Sequence, residues 1–385
     1  MALHTSNGSD HPFASPTLAP LMRSARKAAP SDVRISNRMM VFSQLFPSTQ
    51  LSRAAIVRTT GLSKASVSQV VSDLESASIL QEIGPGKQLG RGKKGTLLQV
   101  DTRHWCVISV DLSRPYLVTA AILDLTGSTM KRSELPVGRP SDITPDKVLD
   151  LCKNLSHQAP GEILGFGVAV PGIVDGNGTV LTSTSLNWKN VDLGAMLEAA
   201  LGRPAIINHD AHSALLAERY FGKGTPNTLF VQLTLGVGAS LLIDDAAVLG
   251  VHHQAGEIGH VTMDVNGPLC ACGKHGCLES FVSTAAIRQR MLQSKDRTGI
   301  LSQSGAFLAQ ALAFPVNLLD IDDIAVYGPP DIVGPTLLQT VETSLTKSGP
   351  SNPARHCTVR RCACGNDIAL LGEGIAVVQS AIRDL

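Results

Sequence analysis

The chain of 385 residues is 43% hydrophobic and 17% charged, a length and composition that provide for about two or three domains with real cores. No apolar run reads as a membrane span and no secretory signal opens the chain, so its eight cysteines point to a reducing cytoplasm and not to a disulfide scaffold. The formal net charge of +1 conceals a split: residues 21–100 hold twelve Lys and Arg against four Asp and Glu, which leaves the rest of the chain acidic. A basic front end on an acidic body points to nucleic acid at the front.

Residues 1–30, rich in Ser, Pro, Ala and Gly, have no hydrophobic period and are expected to be disordered. Residues 31–101 then read as a helical unit with a small sheet. From residue 36, Met39, Met40, Phe42, Leu45 and Phe46 are predicted to line one side of a first helix, ended by Pro47-Ser48. Ser52 caps a second helix carrying Ala55, Ile56 and Val57, and Thr60-Gly61-Leu62 makes a turn. Ser63 caps a third, whose buried stripe is Val67, Val70, Val71 and Leu74. Helix, glycine-containing turn, helix is the helix-turn-helix signal. The outer side of the third helix offers Lys64, Ala65, Ser66, Ser68 and Gln69, short or hydrogen-bonding groups of the kind that approach base edges in a major groove. Strands at 79–83 and 96–100 flank a basic tip with Arg91, Lys93 and Lys94, which reads as a wing. A small protein-interaction domain is the alternative, and basic charge on both helix and wing favours DNA.

Residues 102–385 alternate apolar strands with amphipathic helices. Strands are predicted at 107–111, 117–123 and 163–170, the last broken by Pro171-Gly172, with a helix at 145–156. Helices dominate 278–319, followed by a strand at 324–328, a helix, a strand at 357–361 and a final helix from about 367 or 374 to 382. Such alternation implies an α/β fold with helices on both sides of a sheet. Asp210 falls where a hydrophobic strand ends and a helix begins, so it could serve as a helix cap as readily as a site carboxylate. The Gly236-Val237-Gly238 turn is equally open to a tight hairpin or a phosphate loop.

The densest cluster lies between residues 256 and 279. Cys270, Cys272 and Cys277 fall within eight residues among glycines, with His260 ten residues upstream. Three thiolates and one imidazole make a closed tetrahedral set, the mark of structural zinc with no open position for a reactive water. His252, His253 and His275 are close enough to substitute for His260. A bridge between Cys270 and Cys272 would be badly strained. The second Cys-Ala-Cys-Gly, at residues 362–365, reads as buried small hydrophobes. Glu257 and His260, three apart, share one side of a helical turn, and Glu279 follows the last cysteine by two.

Gly256-Glu257-Ile258-Gly259-His260, the cysteine cluster and Leu278-Glu279 together resemble the signature of the ROK family of sugar kinases and sugar-responsive repressors. Leu51-Ser52-Arg53, Gly61-Leu62-Ser63-Lys64 and Gly90-Arg91 are similar to the winged DNA-binding domain of its repressors, and this brings Arg53 and Ser63 into the expected DNA surface. The resemblance implies a winged helix-turn-helix followed by a two-lobed, actin-like sugar kinase domain. It places sugar contacts on Glu257, His260 and Glu279, zinc on His260 with the three cysteines, and the kinase general base on Asp210. It also points to Ser185 and Asn187 in a second sugar-facing loop and to His209 beside Asp210, where the chain departs from the family's asparagines, as it does at His212.

Where the kinases carry a glycine-rich phosphate turn ending in threonine, this chain reads Asp111-Leu112-Ser113-Arg114-Pro115, and a family Gly-Gly is Gly328-Pro329. Pro115 supplies no amide donor. ATP is therefore not expected. The reading is a DNA-binding regulator, a repressor, that senses a sugar or sugar derivative and works as a homodimer or homotetramer on an operator. A ROK sugar kinase with an added DNA-binding domain is the alternative. A zinc-stabilised interaction module with no small ligand is a third reading.

Overall fold

The computed structural model describes residues 30–85, 95–349 and 357–385. The expected disordered tail up to residue 29 and the basic tip with Arg91, Lys93 and Lys94 lie outside the described residues.

The N-terminal unit runs α1 (Pro30–Leu45), β1 (Leu51–Ser52), α2 (Arg53–Thr60), α3 (Lys64–Ser76), β2 (Leu80–Pro85) and β3 (Thr96–Val100). Its strands form one antiparallel sheet in the order β1-β3-β2. Ser52 and Ser63 cap α2 and α3 by accepting from the amides of Ala55 and Ser66, and Val67, Val70, Val71 and Leu74 are buried as expected. Two corrections concern α1. It starts at Pro30 and not at residue 36, and Met40 is exposed while Val41 takes its place in the core. Val41, Phe42, Leu45 and Phe46 repeat at one, three and one residues, so they share one face of a 3.6-residue helix, and Met40 falls outside it.

The first lobe comprises β4 (Trp105–Asp111), β5 (Leu117–Asp124), β6 (Thr129–Pro136), α4 (Pro145–Ser156), β7 (Glu162–Val170), β8 (Ile173–Val174), β9 (Val180–Ser183), β10 (Trp188–Val191), α5 (Leu193–Leu201), β11 (Ala205–His209) and α6 (Asp210–Phe221). The second contains β12 (Thr228–Leu233), β13 (Val237–Ile243), β14 (Ala246–Ala247), α7 (Glu279–Val282), α8 (Thr284–Gln293), α9 (Arg297–Leu319), β15 (Asp323–Tyr327), α10 (Pro335–Ser348) and β16 (Thr358–Arg361), and the last helix, α11 (Ile368–Asp384), goes back to the first lobe.

The two main sheets have the same plan. In β11-β7-β4-β5-β6 the first three strands are parallel and the last two antiparallel, and β16-β15-β12-β13-β14 repeats that pattern. α4 and α5 cover one face of the first sheet, and α11, returning from the end of the chain, covers the other. A small antiparallel sheet of β8, β9 and β10 flanks the first lobe.

The N-terminal unit is built into the body. Val41, Phe42, Leu45 and Phe46 share one apolar core with Val107, Leu125, Leu216, Ile375, Val378 and Ile382. Phe46 meets Phe221 and Tyr220 edge-on, with ring centroids 5.3 and 5.9 Å away, and the Trp105 indole donates to the Ala77 carbonyl at 2.8 Å. Among the described residues one helix, α9, is long and apolar enough by length and composition to cross a membrane, which the sequence was not expected to contain. One of its sides, with Leu301, Leu308, Leu312 and Val316, is packed into the core of the second lobe.

Candidate functional site

The site is assembled around the β12–β13 hairpin. The backbone of residues 256–260 lies directly on β13: Ala239 donates its amide to the Gly256 carbonyl at 2.8 Å. A Cβ at Gly256 would come within 2.0 Å of the Ala239 carbonyl oxygen, and one at Gly259 within 2.2 Å of that of Val237. These two glycines therefore let a short 3-10 turn, Ile258–His260, sit flush against the strand and carry the imidazole of His260 beside it. Glu257 precedes the turn and is exposed.

His260 meets the cysteines as expected. The ligand atoms of His260, Cys270, Cys272 and Cys277 all lie within 4.8 Å of one another. Cys270 Sγ is 3.8 Å from His260 Nδ1, and the sulfurs of Cys272 and Cys277 are 3.6 Å apart. Tetrahedral ligands at about 2.3 Å (sulfur) and about 2.0–2.1 Å (nitrogen) from a zinc ion are themselves about 3.5–3.8 Å apart, so the donor set fits that ion. Burial and the neighbouring thiols push Cys277 up to about 12, and a bound cation would reverse that by favouring the thiolates. His275, an alternative ligand, instead places Nδ1 3.1 Å from the Gly267 carbonyl.

Glu279, the first residue of α7, joins this cluster to the hairpin. Its Oε2 accepts from the Val237 amide at 3.1 Å, and its Oε1 is 4.0 Å from Cys270 Sγ. The turn before Val237 is thus a tight hairpin with one amide committed to a carboxylate. On the other side of the hairpin stands Asp210. Its Oδ2 accepts from Gln232 of β12 at 2.8 Å, and its Oδ1 is 3.1 Å from His209 Nε2. Asp210 is the first residue of α6, with His209 at the cap position and no side-chain cap bond, so the capping role open in the sequence is not the one adopted. His212 is half-buried 3.5 Å from the Ser240 hydroxyl, and burial, with His209 nearby, pushes its pKa down to about 4. It is therefore a neutral imidazole at physiological pH.

Ser185 and Asn187 are exposed on the connection from β9 to β10, where the Ser185 hydroxyl is 3.4 Å from that of Ser183. Asn187 has a φ of +56°.

At the end of β4, Ser113 donates both its amide and its hydroxyl to Asp111 Oδ1, at 2.8 and 2.6 Å. Both donors of Ser113 are thus taken up by a side chain of the same turn. Asp111 itself is buried; burial, with Asp210 nearby, raises its pKa to about 6.

Sequence reasoning missed a third carboxylate. Glu373 of α11 is fully buried, takes hydrogen bonds from Ser213 and from Asn208 (3.1 Å to Oε1), and is raised to about 7 by burial and, in smaller part, by Asp111. Its signal was a lone glutamate between Gly372 and Gly374, inside an apolar run from Ile368 to Val378.

The outer side of α3 presents Lys64, Ala65, Ser68 and Gln69 to solvent. Ser63 and Ser66 are 2.9 Å apart through their hydroxyls, and Gln69 donates to Asp73 at 2.8 Å. Arg53, expected at DNA, instead bonds Glu75 at 2.8 Å and Glu82 at 2.6 Å, tying α2 to α3 and β2.

Comparison with known proteins agrees with this geometry. The ROK family model matches residues 107–379. The xylose repressor of Bacillus subtilis is 29% identical over 272 residues, covering 69% of this chain and 70% of that protein. The DNA-binding transcriptional dual regulator NagC of Escherichia coli is 28% identical over 249 residues, 63% of this chain and 61% of that one. Among solved structures, a ROK family transcriptional regulator homologous to the Escherichia coli MLC protein superposes with a TM-score of 0.77 at 22% identity, covering 91% of this chain and 97% of that chain. A ROK family glucokinase from Streptomyces griseus, solved with glucose and AMPPNP, gives 0.60 at 21% identity over 71% of this chain and 99% of its own. The regulator's likeness extends into the N-terminal unit, and the kinase's covers less of the chain.

Proposed function

Because this chain belongs to the ROK family, we propose that it is a sequence-specific DNA-binding transcriptional regulator, a repressor, whose two-lobed domain binds a sugar or sugar derivative as effector. The N-terminal unit is read as a winged helix-turn-helix, with α3 as the recognition helix and Lys64, Ala65, Ser68 and Gln69 as the groups that meet base edges or phosphate. The observation that carries the reading is the state of the Asp111–Pro115 turn. Ser113 spends its donors on Asp111, while Asp210, Glu279 and His260 remain gathered at the hairpin. On this reading the groups for holding a polyol are kept and the cradle for a nucleotide is not.

The hydroxyls of the effector would be held by Asp210, Glu257, Glu279 and His260, with His209, Ser185 and Asn187 contributing to its selection. Zinc on His260, Cys270, Cys272 and Cys277 would be structural, since four protein donors close its coordination shell. It would hold the 3-10 turn and Glu279 in place for the sugar. Ligand would change the angle between lobes, and α6, which begins at Asp210 and ends on Phe46 just after α1, would pass that change to the DNA-binding unit. A coupling of about 1–3 kcal/mol is typical of such switches. Paired copies would read two half-sites.

The test is an anisotropy titration of the protein against its own upstream DNA, repeated with a panel of sugars and phosphosugars. Salt-dependent binding released by one sugar is the expected result, and absence of DNA binding overturns the reading. One observation favours a kinase: Asp210 is not used as a helix cap. Phosphate transfer from ATP to a hexose, abolished by Asp210→Asn, would revive that alternative.

A further inference from the structure

We infer that Cys362 and Cys364 are a reversible thiol–disulfide site, closed into a bridge by exchange with a low-molecular-weight disulfide such as oxidised glutathione. The pair lies at the junction of the lobes. The chain passes from the first lobe to the second through residues 222–227 and back through 362–367. Glu218 of α6, fully buried, ties the two passages together: it accepts from the Lys223 amide at 3.1 Å in the first and from the Ala363 amide at 2.8 Å in the second. Arg360 of β16 bonds the same carboxylate and also that of Asp323 in β15, at 2.7 and 2.9 Å. The thiols are directed at two consecutive residues of α6: Cys362 Sγ donates to Glu218 Oε2 at 2.8 Å and Cys364 Sγ to the Ala217 carbonyl at 3.4 Å. The chain bends at Ala363, so that the Cys364 carbonyl is 3.8 Å from Cys362 Sγ. The two thiols thus stand side by side, and Cys364 is the largest influence pushing the Cys362 thiol up, ahead of burial and Glu218. The pair lacks the further ligands of the other Cys-Ala-Cys-Gly: among the described residues, the cluster at His260 is the one place where three or more such donors converge.

Burial decides the order of reaction. Cys362 is buried and its thiol is held by Glu218, whereas Cys364 is partly exposed and reacts first. Its thiolate attacks one sulfur of the small disulfide, forms a mixed disulfide and expels one small thiolate. Cys362 then passes its proton to Glu218 Oε2, attacks Cys364 Sγ and expels the second. The two cysteines are oxidised and the small disulfide is reduced; the proton lost by Cys364 and the one lent to Glu218 end on the two expelled thiolates. A bridge across one intervening residue is strained, so it is readily reduced, which suits a signal and not a staple. Closing it removes the thiol donor from Glu218 and pulls on the amides that tie the second passage to α6, and so alters the junction about which the lobes would turn.

This inference rests on the proposed function only for its consequence, and its chemistry is read without DNA or sugar, so either can fail alone. Trypsin releases residues 362–383 as one fragment that holds these two cysteines and no other. When the zinc-loaded full chain is treated with oxidised glutathione and its free thiols are then alkylated, that fragment is expected unalkylated and lighter by two hydrogens, and excess reduced glutathione should reopen it. Cys362→Ser should stop with one glutathione on Cys364, and Cys364→Ser should take none in this fragment. A wild-type fragment alkylated at both cysteines, a bridge that survives excess reduced glutathione, or glutathione on Cys362 in the Cys364→Ser variant each overturns the proposal. Bridging is further expected to change the effector concentration that releases DNA by about fivefold or more, and an unchanged value would overturn the bridge as a control on the lobes.

Discussion

Glu373 shows how one residue sets a pH dependence. Its folded pKa, about 7, lies above the usual carboxylate value of 4.5, so the folded state holds its proton more tightly than the unfolded chain does. The group therefore favours folding below about pH 4.5, and this contribution is lost as pH rises through 7; Asp111, raised to about 6, acts in the same direction. Glu373→Gln keeps an acceptor for Asn208 and Ser213 but removes the charge. It is expected to be more stable than wild type at pH 8, by an amount on the order of 1–3 kcal/mol, and to lose that advantage at pH 5. Urea unfolding at both pH values checks this, and equal gaps would refute it. The cysteines make a second prediction at this scale. Cys272→Ser removes the exposed member of the cluster and should lower bound zinc and the response to effector together, leaving DNA binding in place; full metal occupancy in that variant would discredit the ligand set.

The elements of the N-terminal unit separate two kinds of basic residue. Lys64 is exposed at the start of α3, whereas Arg53 is held between Glu75 and Glu82 with about a third of its side chain exposed. Lys64→Ala is expected to weaken DNA binding across sequences and to reduce the dependence of log affinity on log salt by about one. Arg53→Ala should leave that slope unchanged and cost stability by about 1 kcal/mol or less, because partly exposed ion pairs are screened. Salt titrations of both variants distinguish the roles, and a reduced slope for Arg53→Ala would return it to the DNA surface.

At the scale of the whole molecule, the proposed switch passes from sugar site to DNA through α6. Asp210 opens the helix beside the β12–β13 hairpin, and Tyr220 and Phe221 close it against Phe46. Phe46→Leu retains apolar volume but loses the edge-on ring contacts, worth about 0.5–1.5 kcal/mol per pair. The variant is expected to bind DNA and effector separately while the release of one by the other is blunted. By linkage the same loss must appear when effector affinity is measured with and without DNA. An unaltered coupling would place the transmission elsewhere.

The local features were legible in the chain alone. Serine caps at Ser52 and Ser63, the Val67–Leu74 stripe, the helix at 145–156 and the cysteine spacing act within a few residues, where propensity and hydrogen-bonding chemistry decide. The family motif suggested roles for residues far apart in sequence. Tertiary structure decided what depends on distant partners: that Asp210 faces Gln232 and His209 and caps nothing, that Ser113 closes on Asp111, that Arg53 is paired within the unit, and that Glu373 is buried beneath the first sheet. It also joined the two units that composition had divided, because Phe46 finds its core on α6 and α11, elements more than a hundred residues away whose apolar faces no local pattern assigns to it.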